Sequence, residues 1–294
     1  MFKFGDLRPF GDDECCAKNQ PETLLTASHD MGAAKLEYIV RPYRPSDLPQ
    51  LRDLLYEGYV TSKGSVADLG VRRAWRQPPC IVGYAQILTG AALIFASRNA
   101  ANSSLFSKSR AGLALVGLGA ALIVTVRRLI RRLVRDFCDN ALKTDMVDIE
   151  SWYWRAGGGF WVAVRPRPGA ESEEEVLGCV GLEFRPLDTT PPASVHNPCS
   201  TAQIRRMIVS AAHRRKGIAL QVMQAALAHA DANPEIEYVH LGTTDLQPAA
   251  QALYDRMGFE RFGERVIGNW AGTTVERHYK RMRPGQIEAL CIKK

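Results

Sequence analysis

The sequence contains no C-x-x-C pair, although it has seven cysteines among its 294 residues. No histidine stands at metal-ligand spacing from these cysteines, so we expect no metal site. An odd number of cysteines without paired spacing favours reduced thiols in the cytosol over a framework of disulfides. Residues 1–34 also lack the apolar core of a signal peptide, and their mixed composition predicts a poorly ordered tail.

Acidic residues are missing between positions 98 and 135, although this stretch holds eight of the 38 lysines and arginines. The remaining 30 basic residues nearly balance the 31 acidic ones, so the net charge of +7 comes from this one stretch. Nucleic-acid binding requires a basic face on the folded domain, whereas a basic stretch beside apolar segments favours a membrane surface. We therefore expect a lipid bilayer and no nucleic acid among the partners.

Charged residues are also missing from two apolar segments, at positions 80–97 and 111–126. A helix needs about 20 residues, within a range of about 17–25, to span the hydrocarbon core of a bilayer. The segments predict a helical hairpin in a membrane at residues 80–126, and a pair of buried core helices is the alternative. Eight arginines flank the hairpin against three basic residues in its turn, so both ends are expected to face the cytosol.

Residues 214–219 read Arg-Arg-Lys-Gly-Ile-Ala and stand between a strand-like run at 204–209 and a helix-like run at 220–230. The N-terminus of a helix offers unpaired N–H groups and a partial positive charge, which together suit an anion. Gly217 lets the main chain come close to a phosphate, and Ala219 keeps the first turn narrow. The stretch predicts a loop that holds a pyrophosphate.

A second strand-like run, at 236–241, precedes a helix-like run that ends before Gly258, a typical helix stop. Ala250, Leu253, Tyr254 and Met257 share one face of this helix at i, i+3, i+4 and i+7. Tyr254 therefore points inward. From spacing alone, a core aromatic residue is the simpler interpretation.

The order of strand, basic glycine loop, helix, strand and helix with an inward tyrosine resembles the Gcn5-related N-acetyltransferase (GNAT) superfamily. Stretches at 142–150, 160–164, 206–209 and 241–244 are similar to its membrane-bound branch, which includes N-acetylaspartate synthetase and the cysteine-S-conjugate N-acetyltransferases. The likeness covers roughly residues 37–282. It implies an α/β (α+β) fold with a mixed, mostly antiparallel sheet of six to seven strands, flanked by helices and carrying an inserted membrane hairpin.

The resemblance also divides the chain. The predicted segments are the tail at 1–34, the first part of the acetyltransferase domain at 35–79, the membrane hairpin with its basic flank at 80–135, the main acetyltransferase domain at 136–282 and a C-terminal tail at 283–294. Since residues 136–150 have a helical pattern, we expect a separate helix there, on the cytosolic side of the membrane.

The resemblance implies that acetyl-CoA is the cosubstrate and that its pantetheine lies where two strands part, at 207–209 and 240–242. Main-chain N–H groups near Ile208 would polarise the thioester carbonyl, and Tyr254 would act as general acid towards the departing thiolate. The implied cofactor-binding residues are Met207, Ile208, Val209, Arg214, Arg215, Lys216, Gly217, Ile218, Ala219 and Tyr254.

The general base is the point at which the chain departs from the N-acetylaspartate synthetase pattern. An acidic residue is expected three positions before the Arg-Met pair, but Gln203 stands there and cannot take a proton near neutral pH. Glu183, at the end of the neighbouring strand, and His240, on the strand that lines the cleft, are the two candidate replacements. A chain of water molecules is the third possibility.

Arginines near the cleft are candidates for binding an acceptor carboxylate. Strand alternation puts Arg205 on the face of Gln203 and Arg206 on the other face, unless a bulge intervenes. Either guanidinium can bind a carboxylate through two hydrogen bonds. The arginines at 72, 73 and 76 are rival candidates, with binding to anionic lipid as their alternative role.

These features favour a membrane-anchored N-acetyltransferase on the cytosolic face of the endoplasmic reticulum. Its acceptor would be a small amine, such as aspartate, another amino acid or an amino-acid conjugate. Two alternatives remain at this stage. The loss of the acid at position 203 fits an acyl-CoA-binding protein with little or no transferase activity, and a wider cleft would fit a modifier of protein N-termini or lysines.

Overall fold

The computed structural model describes residues 38–98, 105–154, 157–167, 170–184, 201–269 and 272–283. The predicted N-terminal tail at 1–34 lies outside the described residues, and so do positions 284–294 of the predicted C-terminal tail. Within the described ranges the helices and strands follow one another without a cis peptide bond.

Seven strands form one sheet, in the order β1-β2-β3-β4-β5-β7-β6. The strands are β1 (Ile39–Pro42), β2 (Gly159–Arg167), β3 (Ala170–Glu183), β4 (Thr201–Val209), β5 (Tyr238–Thr244), β6 (Glu260–Asn269) and β7 (Gly272–Met282). Every neighbouring pair is antiparallel except β4 and β5, which run parallel. This topology confirms the mixed, mostly antiparallel sheet that the resemblance implies.

Six α-helices accompany the sheet in the described part of the chain. They are α1 (Leu48–Tyr56), α2 (Val66–Arg73), α3 (Pro78–Arg98), α4 (Leu105–Lys143), α5 (Ile218–Ala232) and α6 (Pro248–Arg256). Two π-helical turns, Glu57–Thr61 and Glu150–Trp154, follow α1 and α4.

Each face of the sheet has its own apolar core. On one face, Val222 and Met223 of α5 and Leu253 of α6 pack against strand residues. On the other, α1, the last turns of α4 and the second π-helical turn cover the sheet, with Leu55 and Tyr153 fully buried. Strand alternation sends successive side chains to opposite faces, so the central strands β2, β3 and β4 contribute to both cores.

Helices α3 and α4 form the inserted hairpin. A Cβ atom added at Gly119 would lie 2.4 Å from the carbonyl oxygen of Gly83, and one at Gly90 would lie 2.5 Å from that of Gly112. Glycine at these crossings lets the two main chains approach closely, as in helix pairs within membranes. Ser97 Oγ and Ser109 Oγ are joined by a hydrogen bond of 2.7 Å at the far end of the pair.

The outer surface of the hairpin is apolar. By length and composition, both helices are long enough to cross a membrane. Leu88, Phe95 and Leu113 are 71%, 67% and 63% exposed, which does not fit the alternative of two buried core helices. An exposed apolar surface of this extent is typical of a region that packs against an apolar partner.

Helix α4 differs from its prediction. The sequence predicts a separate helix at 136–150, but α4 continues from the apolar segment to Lys143 and the chain then turns before Glu150. The reason is local, because neither proline nor glycine occurs between positions 120 and 143 to break the helix. The helix thus crosses the predicted domain boundary at position 135, and that boundary stays a prediction.

Candidate active site

The central feature of the site is an opening between β4 and β5. The two strands pair only at Thr201–Tyr238, Ala202–Val239 and Gln203–His240. Beyond these pairs β4 runs on to Val209 and β5 to Thr244 without further pairing between them. The strands therefore part at the positions where the resemblance places the pantetheine.

The cofactor loop, residues 214–219, lies at the end of β4. Gly217 caps the N-terminus of α5 with a φ of +80°, a conformation that favours glycine. Arg215 and Lys216 are exposed and have no carboxylate partner among the described residues. Free cationic groups beside the unpaired N–H groups of a helix N-terminus form a surface suited to a phosphate group.

The first π-helical turn covers the end of β4 and fixes the approach to this loop. Glu57 Oε1 accepts hydrogen bonds from the N–H of Ala211 at 2.9 Å and from Ser210 Oγ at 3.2 Å. A Cβ atom at Gly58 would lie 2.6 Å from the side chain of Ile208, so the turn rests directly on the strand. Sequence patterns alone did not reveal Glu57, because its partners lie more than 150 residues away.

Tyr254 reaches the opening from the opposite side of the sheet. Its hydroxyl lies 3.9 Å from Met207 Sδ, and its ring packs against those of Phe259 and Tyr279 at 5.9 Å and 5.8 Å. Burial raises the pKa of the Tyr254 phenol, so the group stays protonated. The residue thus combines a core position with a hydroxyl beside the strand that lines the opening.

The two candidate bases flank Gln203 in one row across the sheet, which we call the acceptor row. Gln203 is the register partner of Glu183 on β3 and of His240 on β5. Registered residues of neighbouring strands point to the same face, so all three side chains are on the α1 side. Position 203 lacks a carboxyl group, but Glu183 provides one at the paired position of the neighbouring strand.

Glu183 is buried and held by two donors. Arg205 Nη1 donates to its Oε2 at 2.7 Å, and Trp152 Nε1 donates to its Oε1 at 3.1 Å. Burial raises the pKa of the Glu183 carboxyl, and the charge of Arg205 offsets this only in part. A raised carboxyl pKa is what a general base near neutral pH requires.

The pKa of His240 is shifted in the opposite direction. Burial, together with the nearby His278, lowers the pKa of its imidazole to about 4. The ring is therefore neutral at physiological pH and can accept a hydrogen bond. Its conjugate acid is strong, which makes it the weaker of the two bases.

The comparison with known families agrees with this geometry. A model of the Acetyltransferase (GNAT) family matches residues 127–259. This part of the chain is similar to GNAT acetyltransferases. The resemblance drawn from the sequence is thereby confirmed.

Curated relatives belong to the suspected branch. The chain is 30% identical over 229 residues to N-acetylaspartate synthetase of Homo sapiens, covering 76% of this chain and 63% of that protein. It is 28% identical over 235 residues to N-acetyltransferase 8B of Homo sapiens, covering 80% and 89%. With N-acetylaspartate synthetase of Danio rerio the identity is 36% over 157 residues, covering 52% of this chain and 49% of that one. The chain thus spans about half to two-thirds of the length of the synthetases it matches.

The two arginines of the GNAT domain's cleft strand differ in what they contact. Arg205 makes one hydrogen bond, to Glu183, and its remaining N–H groups have no partner in the described part of the chain. Arg206 instead donates two hydrogen bonds to Asp145, from Nε to Oδ2 at 2.8 Å and from Nη2 to Oδ1 at 2.5 Å. Arg205 thus keeps free donors for an acceptor carboxylate, whereas Arg206 is engaged, and the assignment of either arginine to the acceptor stays a prediction. The expected alternation fails because β4 has a bulge at Arg206, whose φ is +52°.

The rival arginines at 72, 73 and 76 lie on α2 and the turn that follows it. Arg72 pairs with Asp68 and Arg73 with Asp245, while Arg76 stacks over the ring of Trp75 at 4.6 Å. The partners of all three arginines lie outside the acceptor row. They make the arginines poorer candidates than Arg205 for the acceptor carboxylate.

Sequence reasoning missed Asp145, Tyr153 and Trp152, which line the α1 side of the site. A signal was present, because Asp145 lies in a stretch that resembles the membrane-bound branch and is followed by apolar residues. No three His, Cys, Asp or Glu side chains come together as metal ligands within the ranges that the structure describes.

Proposed function

We propose that this chain is a membrane-anchored N-acetyltransferase, which moves the acetyl group of acetyl-CoA to the amine of a small acceptor. The acceptor is an amino acid such as aspartate, or an amino-acid conjugate. The observation that carries the proposal is the opening between β4 and β5, with free cationic groups at its mouth and a buried phenol beside its floor.

Acetyl-CoA binds with its pyrophosphate on the cofactor loop and its pantetheine in the opening. Arg215, Lys216 and the first N–H groups of α5 bind the phosphates without breaking any ion pair. Met207, Ile208 and Val209 extend along the opening and present main-chain groups to the pantetheine. This arrangement aligns the thioester with the acceptor row, and alignment alone can contribute about 7–11 kcal/mol to lowering the barrier.

Glu183 acts as the general base that replaces the missing acid at position 203. Its raised pKa and its place beside Gln203 support this role over that of His240. The proton of the amine passes to the Glu183 carboxylate, directly or through one water molecule. The deprotonated nitrogen then attacks the thioester carbon.

Arg205 binds the carboxylate of the acceptor through its unpaired N–H groups. A second carboxylate on this guanidinium shares its positive charge, which raises the pKa of Glu183 further. Acceptor binding would thus make the base stronger at the moment when it is needed. A requirement for an acceptor carboxylate follows from this arrangement.

The tetrahedral intermediate carries a negative oxygen, which the main chain near Ile208 stabilises by hydrogen bonding. The C–S bond then breaks, and Tyr254 donates a hydrogen bond to the leaving sulfur. An ordinary thiol has a pKa of about 8.5, which is below that of this phenol, so full proton transfer is uphill. Cys179 is a poor rival nucleophile, since burial raises the pKa of its thiol to about 12, and direct attack is the simpler route.

The hairpin of α3 and α4 anchors the enzyme in the membrane of the endoplasmic reticulum, with the GNAT domain in the cytosol. The exposed apolar side chains of both helices and the arginines on their outer flanks support this orientation. Alkaline extraction of membranes from expressing cells is the direct test. Retention in the pellet is expected, and release into the supernatant would contradict the anchor.

A thiol-release assay tests the transferase activity. Detergent-purified protein is given acetyl-CoA with aspartate, S-benzylcysteine, other amino acids, a simple alkylamine or a lysine peptide. We expect release with one class of small carboxylate-bearing amine. Release with the peptide alone would favour a protein acetyltransferase, and binding of acetyl-CoA without any release would favour the non-catalytic alternative.

The matched variants are Gly217→Glu and Gly157→Glu. Both glycines have a φ of +80°, and a Cβ atom at either would meet a single side-chain atom at ordinary contact distance, 3.8 Å for Gly217 and 3.7 Å for Gly157, so the backbone strain is the same. Only Gly217 caps α5 at the cofactor loop, where a carboxylate repels the pyrophosphate. Loss of release in Gly217→Glu alone is the expected result, and equal loss in both would contradict the assignment of the loop.

A further inference from the structure

The bulge at Arg206 is a strained point in the strand that lines the opening. Arg206 has a φ of +52°, which is unusual for a residue with a side chain. The register of β4 with β3 shifts opposite this point, between Cys179 and Gly181. Such strain persists only where the surroundings hold the residue in place, and bulges commonly re-aim groups beside active sites.

Three side chains, which we call the arginine clamp, hold this bulge. Arg206 donates to both oxygens of Asp145, and the hydroxyl of Tyr153 donates to Asp145 Oδ2 at 2.6 Å. Asp145 and Tyr153 are fully buried and Arg206 is 8% exposed. Cys179 Sγ also donates to the carbonyl oxygen of Arg206 at 3.2 Å, so side chain and main chain are both fixed.

Stability alone is a weak reason for such a cluster. Apolar residues of similar volume often stabilise a core as well as a buried ion pair does. An ion pair with two parallel hydrogen bonds instead fixes the relative orientation of its two side chains, because both bonds form only when the planar guanidinium and the carboxylate are aligned. The clamp thus determines the direction in which the chain leaves Arg206.

That direction matters because the next residues are Met207 and Ile208. Their main chain follows the bulge directly, and the Met207 sulfur lies 3.9 Å from the Tyr254 hydroxyl. A hydrogen-bond donor that polarises a carbonyl must be held in place before the substrate arrives. A change in the geometry of the bulge would therefore move the donor at the thioester carbonyl and leave the cofactor loop unchanged.

The clamp also ties the membrane helix to this strand. Asp145 lies two positions after Lys143, the last residue of α4. The ring of Phe137, on the last turns of α4, lies 5.3 Å from the guanidinium of Arg206. One continuous helix thus runs from the apolar hairpin to the clamp.

We infer that Asp145 and Tyr153 are positioning residues, which act through Arg206 to hold the main chain that follows the bulge, at Met207, in the geometry that polarises the acetyl carbonyl. The inference rests on the proposed function, because it assumes that acetyl-CoA occupies the opening. It assigns a role in the reaction to residues that lie outside the cofactor loop and the acceptor row.

Infrared difference spectroscopy of bound acetyl-CoA tests the role directly. The probe is acetyl-CoA with carbon-13 in the acetyl carbonyl, bound to the full-length protein in detergent. Hydrogen bonding lowers the stretching frequency of a carbonyl, so the wild-type protein should shift the band to lower frequency on binding. Asp145→Asn should lose most of this shift and reduce kcat about 10²-fold, the usual cost of a misplacement near 1 Å.

Two further variants separate positioning from folding. Tyr153→Phe removes one hydrogen bond to Asp145 and leaves the ring in place, so it should keep the fold and lose part of the band shift. Asp148→Asn is the matched control, because Asp148 is exposed, lies on the same turn and accepts the N–H of Ser151 instead of an arginine. We expect the control to keep the wild-type band and kcat, and all three variants to bind acetyl-CoA within about three-fold of wild type, because the cofactor loop is untouched.

The outcomes distinguish the inference from the proposal beneath it. If the wild-type protein shifts the band but Tyr153→Phe and Asp145→Asn shift it equally and keep kcat, the positioning role is wrong and the transferase stands. If Asp145→Asn fails to fold, the unchanged band and kcat of Tyr153→Phe would overturn the inference alone. If the wild-type protein does not bind acetyl-CoA, the proposed function falls and the inference falls with it.

Discussion

At the mouth of the cleft, Arg215 and Lys216 are exposed and lack a carboxylate partner within the described ranges, whereas Arg205 and Arg206 are each paired with a buried carboxylate. The cofactor side can bind an anion without breaking any contact. The acceptor side must share or exchange a partner when an anion arrives. The difference suggests that affinity for acetyl-CoA comes from free charge and that acceptor selectivity comes from paired charge.

The largest effect is expected at the buried carboxylate of the acceptor row. Glu183→Gln removes the proposed base and keeps the size of the side chain, so kcat should fall about 10²-fold or more. The dissociation constant for acetyl-CoA, measured by calorimetry, should not change. Glu175→Gln is the control, because Glu175 is on the same strand and is also paired with an arginine, Arg165. A wild-type kcat in Glu183→Gln would show that Glu183 is not the general base.

A smaller effect, on the KM for the acceptor, is expected for Arg205, which is paired with Glu183. Arg205→Gln should raise the KM for a carboxylate-bearing acceptor about 10- to 100-fold, the value of a hydrogen bond to a charged group. The KM for acetyl-CoA should stay the same. Arg205 also holds down the pKa of the Glu183 carboxyl, so its loss should move the acid limb of the pH–rate profile to higher pH. An unchanged acceptor KM, with Arg165→Gln as control, would exclude Arg205 from acceptor binding.

Loss of the phenol should have a modest effect. Tyr254→Phe keeps the ring packing with Phe259 and Tyr279 and removes only the hydroxyl. Because the thiolate is a good leaving group, we expect kcat to fall about 10-fold, at the low end of acid catalysis. Tyr279→Phe is the matched control, since this buried tyrosine lies against Tyr254. A loss of more than about 10³-fold would mean that full proton transfer is obligatory.

The smallest effect concerns stability. The pKa of His240 is about 4 in the folded protein against an ordinary value of 6.5, so its neutral form contributes stability above pH 6.5. That contribution is lost as the pH falls from 6.5 towards 4 and amounts to at most about 3 kcal/mol. The difference in Tm between wild type and His240→Gln should change over this range and stay constant above it. A constant difference at all pH values would contradict the buried, neutral imidazole.

Local patterns predicted a large part of this structure. The prediction of the loop at 214–219 and of the helix with Tyr254 rests on a glycine within a basic stretch, a helix stop and a helical period, all of which are read within about 20 residues. The extent of α4 was missed, because the predicted break at residue 135 rested on a change of composition. Helix propensity does not change there, and no residue breaks the helix.

The acceptor side was less predictable because its contacts are non-local. Asp145 lies 61 residues from Arg206 in the chain, and Glu183 lies 22 residues from Arg205. Both pairs depend on the register of β3 with β4 and on a bulge, neither of which leaves a pattern in the sequence. Strand alternation alone placed the arginines on opposite faces, and it could not indicate which of them was already paired.

The division of labour between the two sides is tested most directly by measuring acetyl-CoA binding and thiol release together in Gly217→Glu and Glu183→Gln. We predict that Gly217→Glu loses both, because the pyrophosphate has no site. We also predict that Glu183→Gln binds acetyl-CoA as the wild type does and releases thiol about 10²-fold more slowly. Loss of binding in Glu183→Gln, or thiol release by Gly217→Glu at the wild-type rate, would contradict this division of labour.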